Sequence, residues 1–284
     1  MINELKNNAE LICIIPAAGK SSRYEKSNKI FESLEDGEEN GLDVLNASIL
    51  NINTLGVVKK IYIGYDDSSK DFCEFKEIIN NADSDIDEAI SSEEKLAIGL
   101  FKKISFVKGG NTRQETVYKC LQYIKSFKSD NENTWVLVHD AARPCVFPFE
   151  NLEFINKTIE CDTSSIMAIP ISDTIKKVDA ESKISQTLSR ENLWLAQTPQ
   201  MFKFNILYES LKYCSDNNIS VTDDSQALEV LGYKCRVHMG KPYNNKITYQ
   251  SDLSYAKCIY EHMCKSLYED GDHIIIGGVK IISD

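Results

Sequence analysis

Three short stretches of the 284-residue chain carry residue types able to hold phosphate and read a base. Pro16-Ala-Ala-Gly-Lys-Ser-Ser-Arg23 follows the apolar run 11–15 directly, so a buried strand delivers the chain into a small-residue loop that ends on a cation. Ala17, Ala18 and Gly19 carry little or no side chain, which lets backbone N–H groups approach an anion, and Arg23 adds a forked donor for phosphate oxygens. This is the composition of a nucleotide-phosphate cradle; an ordinary strand-to-helix turn has a similar look. Gly19-Lys20-Ser21 is not the tail of a P-loop, because the first glycine of that pattern falls on Ile14. In Val136-Leu-Val-His-Asp-Ala-Ala-Arg-Pro144 an apolar strand ends on Asp140, with Arg143 three residues on. A carboxylate there can hold Mg²⁺ beside a triphosphate, the ion keeping several waters and bridging phosphate oxygens, or it can cap the turn into Ala141. His139 reads as a packing or hydrogen-bonding residue, since phosphoryl chemistry needs charge neutralisation more than proton transfer. Val107-Lys-Gly-Gly-Asn-Thr-Arg113 is a second glycine-bearing turn, entering the helix that holds Thr116. Gly110 and Asn111 are able to read a base edge through backbone and amide groups; the plainer reading is the start of a helix.

The elements that must position these residues alternate. Strands are predicted over 11–15, 60–64, 135–138, 165–169 and 234–238, and helices over 44–55, 113–127, 152–159, 206–213, 225–231 and 253–267. Val117, Leu121 and Ile124 set the helical spacing of the second of these helices. Strands separated by helices imply an α/β fold with a mixed, mostly parallel sheet and right-handed crossovers. In such sheets ligands bind beyond the carboxyl ends of the strands, where all three motif loops fall.

Two segments break the rhythm. Residues 66–100 hold eleven acidic residues against three lysines, net −8 of the chain's −11, and read as an acidic insertion whose run 81–94 is too charged to bury. Residues 171–195 alternate polar with apolar, as in Thr174-Ile-Lys-Lys-Val178, and read as a two-stranded arm. A hairpin of that kind is marginal alone and should pack on something, most economically a second subunit. At the far end, residues 270–284 read as a hairpin with the two-glycine turn Gly277-Gly278. One large domain accommodates all of this, and 42% hydrophobic residues suffice for its core.

Bulk properties narrow the partners. A net charge of −11 argues against a nucleic-acid backbone, which requires clustered Lys and Arg. No stretch approaches a membrane span, residues 1–10 lack the order of a secretory signal, and the nine scattered cysteines form no C-x-x-C, so a cytoplasmic protein, or an organellar one if a leader was removed, with reduced thiols and no zinc site is expected.

Taken in order, the motifs carry a resemblance. P-A-A-G…R at 16–23, Lys29, G-G-x-x-R at 109–113, V-L-V-H-D-A-A-R-P at 136–144, D-T-I-K at 173–176, R-x-x-L-W…T-P-Q at 190–200, T-D-D-x-x-A-L-E at 222–229 and N-x-K-I-T around Lys246 follow one another as in one family. The chain resembles the 2-C-methyl-D-erythritol 4-phosphate cytidylyltransferases of the non-mevalonate isoprenoid pathway from Leu11 to about Ile259. It departs at Ser21, where the family usually repeats glycine, and at Asn28 and Ile30, which replace Pro and Gln around the lysine; the long acidic insertion and the final hairpin are also unusual.

The resemblance implies a three-layer nucleotidyltransferase fold, a homodimer joined through the arm, and the Mg²⁺-dependent transfer of a cytidylyl group from CTP to methylerythritol 4-phosphate. It implies that Arg23, Lys29, Lys246 and Arg190 carry catalysis, that Ala17, Ala18, Gly19, Gly110, Asn111, Arg113 and Thr116 bind CTP, and that Asp140, Arg143, Thr174, Arg190 and Lys246 meet the polyol phosphate, with Asp140 also holding the metal. A ribitol 5-phosphate cytidylyltransferase shares the fold and nucleotide site, and a catalytically silent nucleotide-binding dimer is the reading of another class. Asp173-Thr174 and the Asp-Ala-Ala-Arg stretch favour methylerythritol phosphate over ribitol phosphate; retention of Arg23, Lys29, Asp140 and Lys246 speaks against silence.

Overall fold

β1 (Glu10–Pro16) is apolar without a break from Leu11 to Ile15, and the computed structural model puts it where such a run is stable, with a parallel neighbour on each side. The structure describes residues 5, 9–19, 24, 28–35, 42–53, 56–81, 99–128, 131–269, 275–276 and 279–280. On one side of β1 lie β2 (Val58–Tyr65) and the edge strand β3 (Ile104–Lys108); on the other lie β4 (Thr134–Val138), β8 (Trp194–Lys203), β5 (Ser165–Pro170) and β9 (Arg236–Met239), in that order. β8 runs antiparallel to both of its neighbours and every other pair is parallel, which gives the mixed, mostly parallel sheet expected.

Successive side chains of a strand point to opposite faces, and β1 divides accordingly. Leu11, Cys13 and Ile15 enter one core with α1 (Val44–Asn53), α2 (Lys70–Asn81), α4 (Pro148–Cys161) and α7 (Gln250–Glu269). Ile12 and Ile14 enter the other with α3 (Arg113–Phe127), α5 (Phe204–Asp216) and α6 (Asp224–Val230). The result is three layers. α3 starts where predicted because Thr112 caps it, its hydroxyl accepting from Glu115 N–H. Its spacing holds too: Val117, Cys120, Leu121 and Ile124 are all buried.

Three elements differ from the sequence reading. α2 falls inside the acidic insertion, yet Phe72 is fully buried and Phe75 and Ile79 nearly so, so residues 70–81 belong to the core and the acidic side chains cover its outer face. The rest of that insertion, including most of the run 81–94, lies outside the described residues. β3, ISFVK, is an edge strand with a single buried side chain, Val107, and so lacks the uniformly apolar run of the inner strands. β8 was not read beyond Leu195 because Gln197, Pro199 and Gln200 interrupt it; those glutamines are buried and hydrogen-bonded, a satisfaction that hydropathy does not register.

The arm is a hairpin of β6 (Ile175–Val178) and β7 (Ile184–Leu188), with Asp179 Oδ1 accepting from Glu181 and Lys183 N–H in its turn. At the C-terminal end β10 (Ile275–Ile276) pairs antiparallel with β11 (Val279–Lys280); the two-glycine turn between them lies outside the described residues. No helix among the described residues is long and apolar enough to cross a membrane.

Candidate active site

Register brings the motifs to one place. Pro16 pairs with Gly64, Ile14 with Val138, and Val138 with Gln200, so the chain leaving β1 and β4 meets the middle of β8 at a single edge of the sheet. The first loop begins with Ala17, whose N–H donates to Gly64 O at 2.7 Å and so extends the sheet; it is not available to phosphate. Ala18 and the exposed Gly19 follow, while residues 20–23, Arg23 among them, lie outside the described residues.

The second glycine turn packs directly on the first loop. A Cβ on Gly109 would lie 2.4 Å from Ala18 Cβ and 3.1 Å from Tyr65 O, so glycine is required for this approach. Gly109 N–H donates to Tyr65 O, Gly110 N–H to Thr116 Oγ1 at 3.0 Å and Asn111 N–H to Glu115 Oε2 at 2.8 Å. The turn therefore spends its N–H groups within the protein, Gly109 O accepts from Lys119 Nζ at 3.1 Å, and Asn111 is exposed at its tip. Thr116, expected to meet CTP, is 1% exposed and holds this turn from behind, its hydroxyl donating to Thr112 O.

Asp140 is the centre of the charge arrangement. It is 6% exposed; Oδ1 accepts from Arg113 Nε at 2.8 Å, Oδ2 from Lys246 Nζ at 2.8 Å, and Arg143 Nε stands 3.6 Å from Oδ2. Burial opposes its ionisation, but the Arg113, Lys246 and Arg143 cations outweigh burial and hold the carboxyl well below the usual carboxylate range. Arg113, expected to contact CTP, is a half-buried bridge: its NH2 nitrogen lies 2.7 Å from Asp224 Oδ2. Arg143, expected on the sugar-phosphate side, is turned inward, with NH1 donating to Asn244 O at 2.6 Å.

His139 plays the structural part expected of it. It is fully buried, with Nε2 3.0 Å from Arg143 O and Nδ1 3.2 Å from Thr198 Oγ1. Since a carbonyl only accepts, the ring carries its proton on Nε2, and Thr198, which accepts from Asp140 N–H, donates to Nδ1. Burial lowers the His139 pKa to about 4.

The loop carrying Lys246 is pinned along its length. Gln197 donates to Lys241 O and Asn244 O, Asn244 donates to Thr198 O, Tyr243 donates to Glu150 of α4, and Ile247 N–H donates to Ala142 O. Lys29 Nζ donates to Ile247 O at 2.6 Å, so Lys29 is anchored on the loop that carries Lys246 although 217 residues separate the two in the 284-residue sequence. Thr198, Asn244 and Asp224 lie in the motifs and Gln197 just before T-P-Q, but polar residues in buried bonds carry no periodic signal from which their roles could be read. Thr174 and Arg190 sit exposed on the arm, Arg190 bonding to Ser172 O, and among the described residues neither bonds to the Asp140 cluster.

Asp140 does not suit the role of metal ligand in this arrangement. Both oxygens are engaged by cations, and three positive groups surround it.

Comparison with known proteins agrees with this geometry. The family model described as 2-C-methyl-D-erythritol 4-phosphate cytidylyltransferase matches residues 11–262. A protein of that name from Acinetobacter baumannii (strain AYE) is 34% identical over 258 residues, spanning 90% of this chain and 95% of its own length. Another, from Acinetobacter baylyi, is 36% identical over 253 residues, spanning 88% of this chain and 93% of its own. The crystal structure of Francisella tularensis 2-C-methyl-D-erythritol 4-phosphate cytidylyltransferase matches with a TM-score of 0.67 at 30% identity, covering 88% of this chain and 100% of that one. With its motif loops at one sheet edge and a match over nearly nine-tenths of its length, the chain belongs to the 2-C-methyl-D-erythritol 4-phosphate cytidylyltransferase family.

Proposed function

We propose that this chain, a cytidylyltransferase by family, uses the cations beside Asp140 to join CTP to 2-C-methyl-D-erythritol 4-phosphate. An oxygen of the acceptor's phosphate attacks the α-phosphorus of CTP in line, the bond from that phosphorus to the bridging oxygen breaks, and diphosphate leaves; no covalent enzyme intermediate is needed. Two anions must be held together against their repulsion, which calls for fixed positive charge and alignment. The observation that supports this assignment is that one loop ties both lysines in place, Lys29 bonding to Ile247 O and Lys246 to Asp140. Arg23 is proposed to complete the set from the first loop. The turn at Gly109–Asn111 is proposed to meet the cytosine edge through Asn111, which is exposed at its tip.

Magnesium is proposed to come with the triphosphate, held by phosphate oxygens and water, as suits an ion that dehydrates reluctantly. The arm is proposed to bring Thr174 and Arg190 to the acceptor in a homodimer, and the exposed apolar residues on it favour a covered surface. All nine cysteines are free thiols, which suits the reducing cytoplasm.

The test is diphosphate release from CTP and Mg²⁺ with each acceptor in turn. Release with methylerythritol phosphate is expected. Release only with ribitol 5-phosphate would reassign the acceptor, and release with neither would leave a nucleotide-binding protein.

A further inference from the structure

A guanidinium beside a carboxylate ordinarily engages it with two parallel N–H···O bonds. Arg113 does not: it meets Asp140 through Nε alone, at Oδ1, while its NH2 nitrogen is drawn 2.7 Å from Asp224 Oδ2. Oδ2 of Asp140 is thereby left to Lys246, which bonds it at 2.8 Å, with Arg143 Nε standing farther off at 3.6 Å. The four groups form a line of alternating charge from Asp224, whose side chain is 1% exposed, to Lys246, whose side chain is 37% exposed.

The turn that carries Asp224 is itself fixed. Gln114 of α3 donates to Ile219 O and accepts from Val221 N–H, and Gln200 donates to Asp223, which caps α6. Asp224 can therefore hold Arg113 against the pull of Asp140.

We propose that Asp224 is a positioning residue: it restrains Arg113 to one oxygen of Asp140 and so reserves the other for Lys246. The proposal rests on the reading that Lys246 acts at the α-phosphate. Without the Asp224 charge, Arg113 turns to a two-point grip on Asp140 and displaces the lysine.

Asp224→Asn keeps the shape and removes the charge. It is expected to lower kcat about tenfold while the Kd of CTP, measured by titration, stays within about threefold. In a Lys246→Ala background the same substitution should change kcat less than about twofold, because the link it serves is already cut. An equal loss in both backgrounds, or an unchanged kcat in folded Asp224→Asn, would overturn the proposal. Should the asparagine variant fail to fold, Asp224→Ser, with room for a water, carries the same double-mutant comparison. If Lys246→Ala alone keeps full turnover, the reading of Lys246 falls, and this proposal with it; if Lys246→Ala is impaired and Asp224→Asn is not, only this proposal falls.

Discussion

The charge of Lys29 matters most when negative charge accumulates around the α-phosphate, because a cation held by a fixed backbone carbonyl needs no reorganisation at that moment. Lys29→Ala is therefore expected to lower kcat by about 10²- to 10³-fold with a far smaller change in CTP binding. A kcat within a few-fold of wild type would remove the lysine from the mechanism. His139 makes a prediction of a different kind. Its pKa is near 4 in the fold against about 6.5 in the unfolded chain, so between those values the unfolded state binds more protons and stability rises with pH. The contribution is complete above pH 6.5 and is lost as the pH falls toward 4, amounting to about 3 kcal/mol at the full shift. Urea titrations across that range should show the slope in wild type and a flatter line in His139→Gln. The sequence disclosed the residue types of the site, Asp140 and the two lysines above all, but not their pairing. Whether Asp140 takes a metal or three cations depends on which side chains α3, its own turn and the 240–247 loop bring to it, and the contact with Lys246 spans 106 residues.

At the scale of elements, the cradle depends on two loops touching without side chains between them. Gly109→Ala would drive a methyl into Ala18 and against the carbonyl of Tyr65, and backbone cannot yield as a flexible side chain can. The KM for CTP is expected to rise by about tenfold or more with the fold intact, a change read from initial rates and circular dichroism. α2 supplies a stability counterpart. Phe72 is fully buried and packs edge-on against Phe31 at 4.9 Å, beside the 3₁₀ turn that carries Lys29. Phe72→Ala should cost about 3–5 kcal/mol in chemical denaturation, whereas substitution in a disposable acidic insertion would cost almost nothing. α2 also marks where sequence reading stops. Its apolar stripe was masked by eleven acidic residues in 66–100, whereas α3, with a capping threonine and a clean 117, 121, 124 spacing, was legible from end to end. β1 and β4 were legible because burial on both faces makes a strand uniformly apolar; β8, equally central, was not, because its buried polar residues serve the site.

At the scale of the whole molecule, the arm leaves apolar area in water that a single chain does not cover. Ile184 is 65% exposed, Leu195 53% and Val178 50%, while Met239 on the edge strand β9 is 63% exposed. A second copy of the chain is the partner that such a self-contained arm suits. If the arm reaches across, Thr174 and Arg190 serve the partner's cluster while Lys29 and Asp140 remain on the parent core, and each active site is built from two chains. Arg190→Ala and Lys29→Ala homodimers should then both be nearly inactive, the first for want of a forked phosphate donor and the second for want of the α-phosphate cation. When the two are mixed and allowed to exchange, one site of each heterodimer receives an intact core from the Arg190→Ala chain and an intact arm from the Lys29→Ala chain. Random assortment makes about half of the dimers mixed, each with one good site of two, so activity should recover to roughly a quarter of wild type. Mass spectrometry of differently tagged chains establishes that exchange has occurred. Exchange with no recovery of activity would mean that the site is completed within one chain, and the shared arm would have to be abandoned.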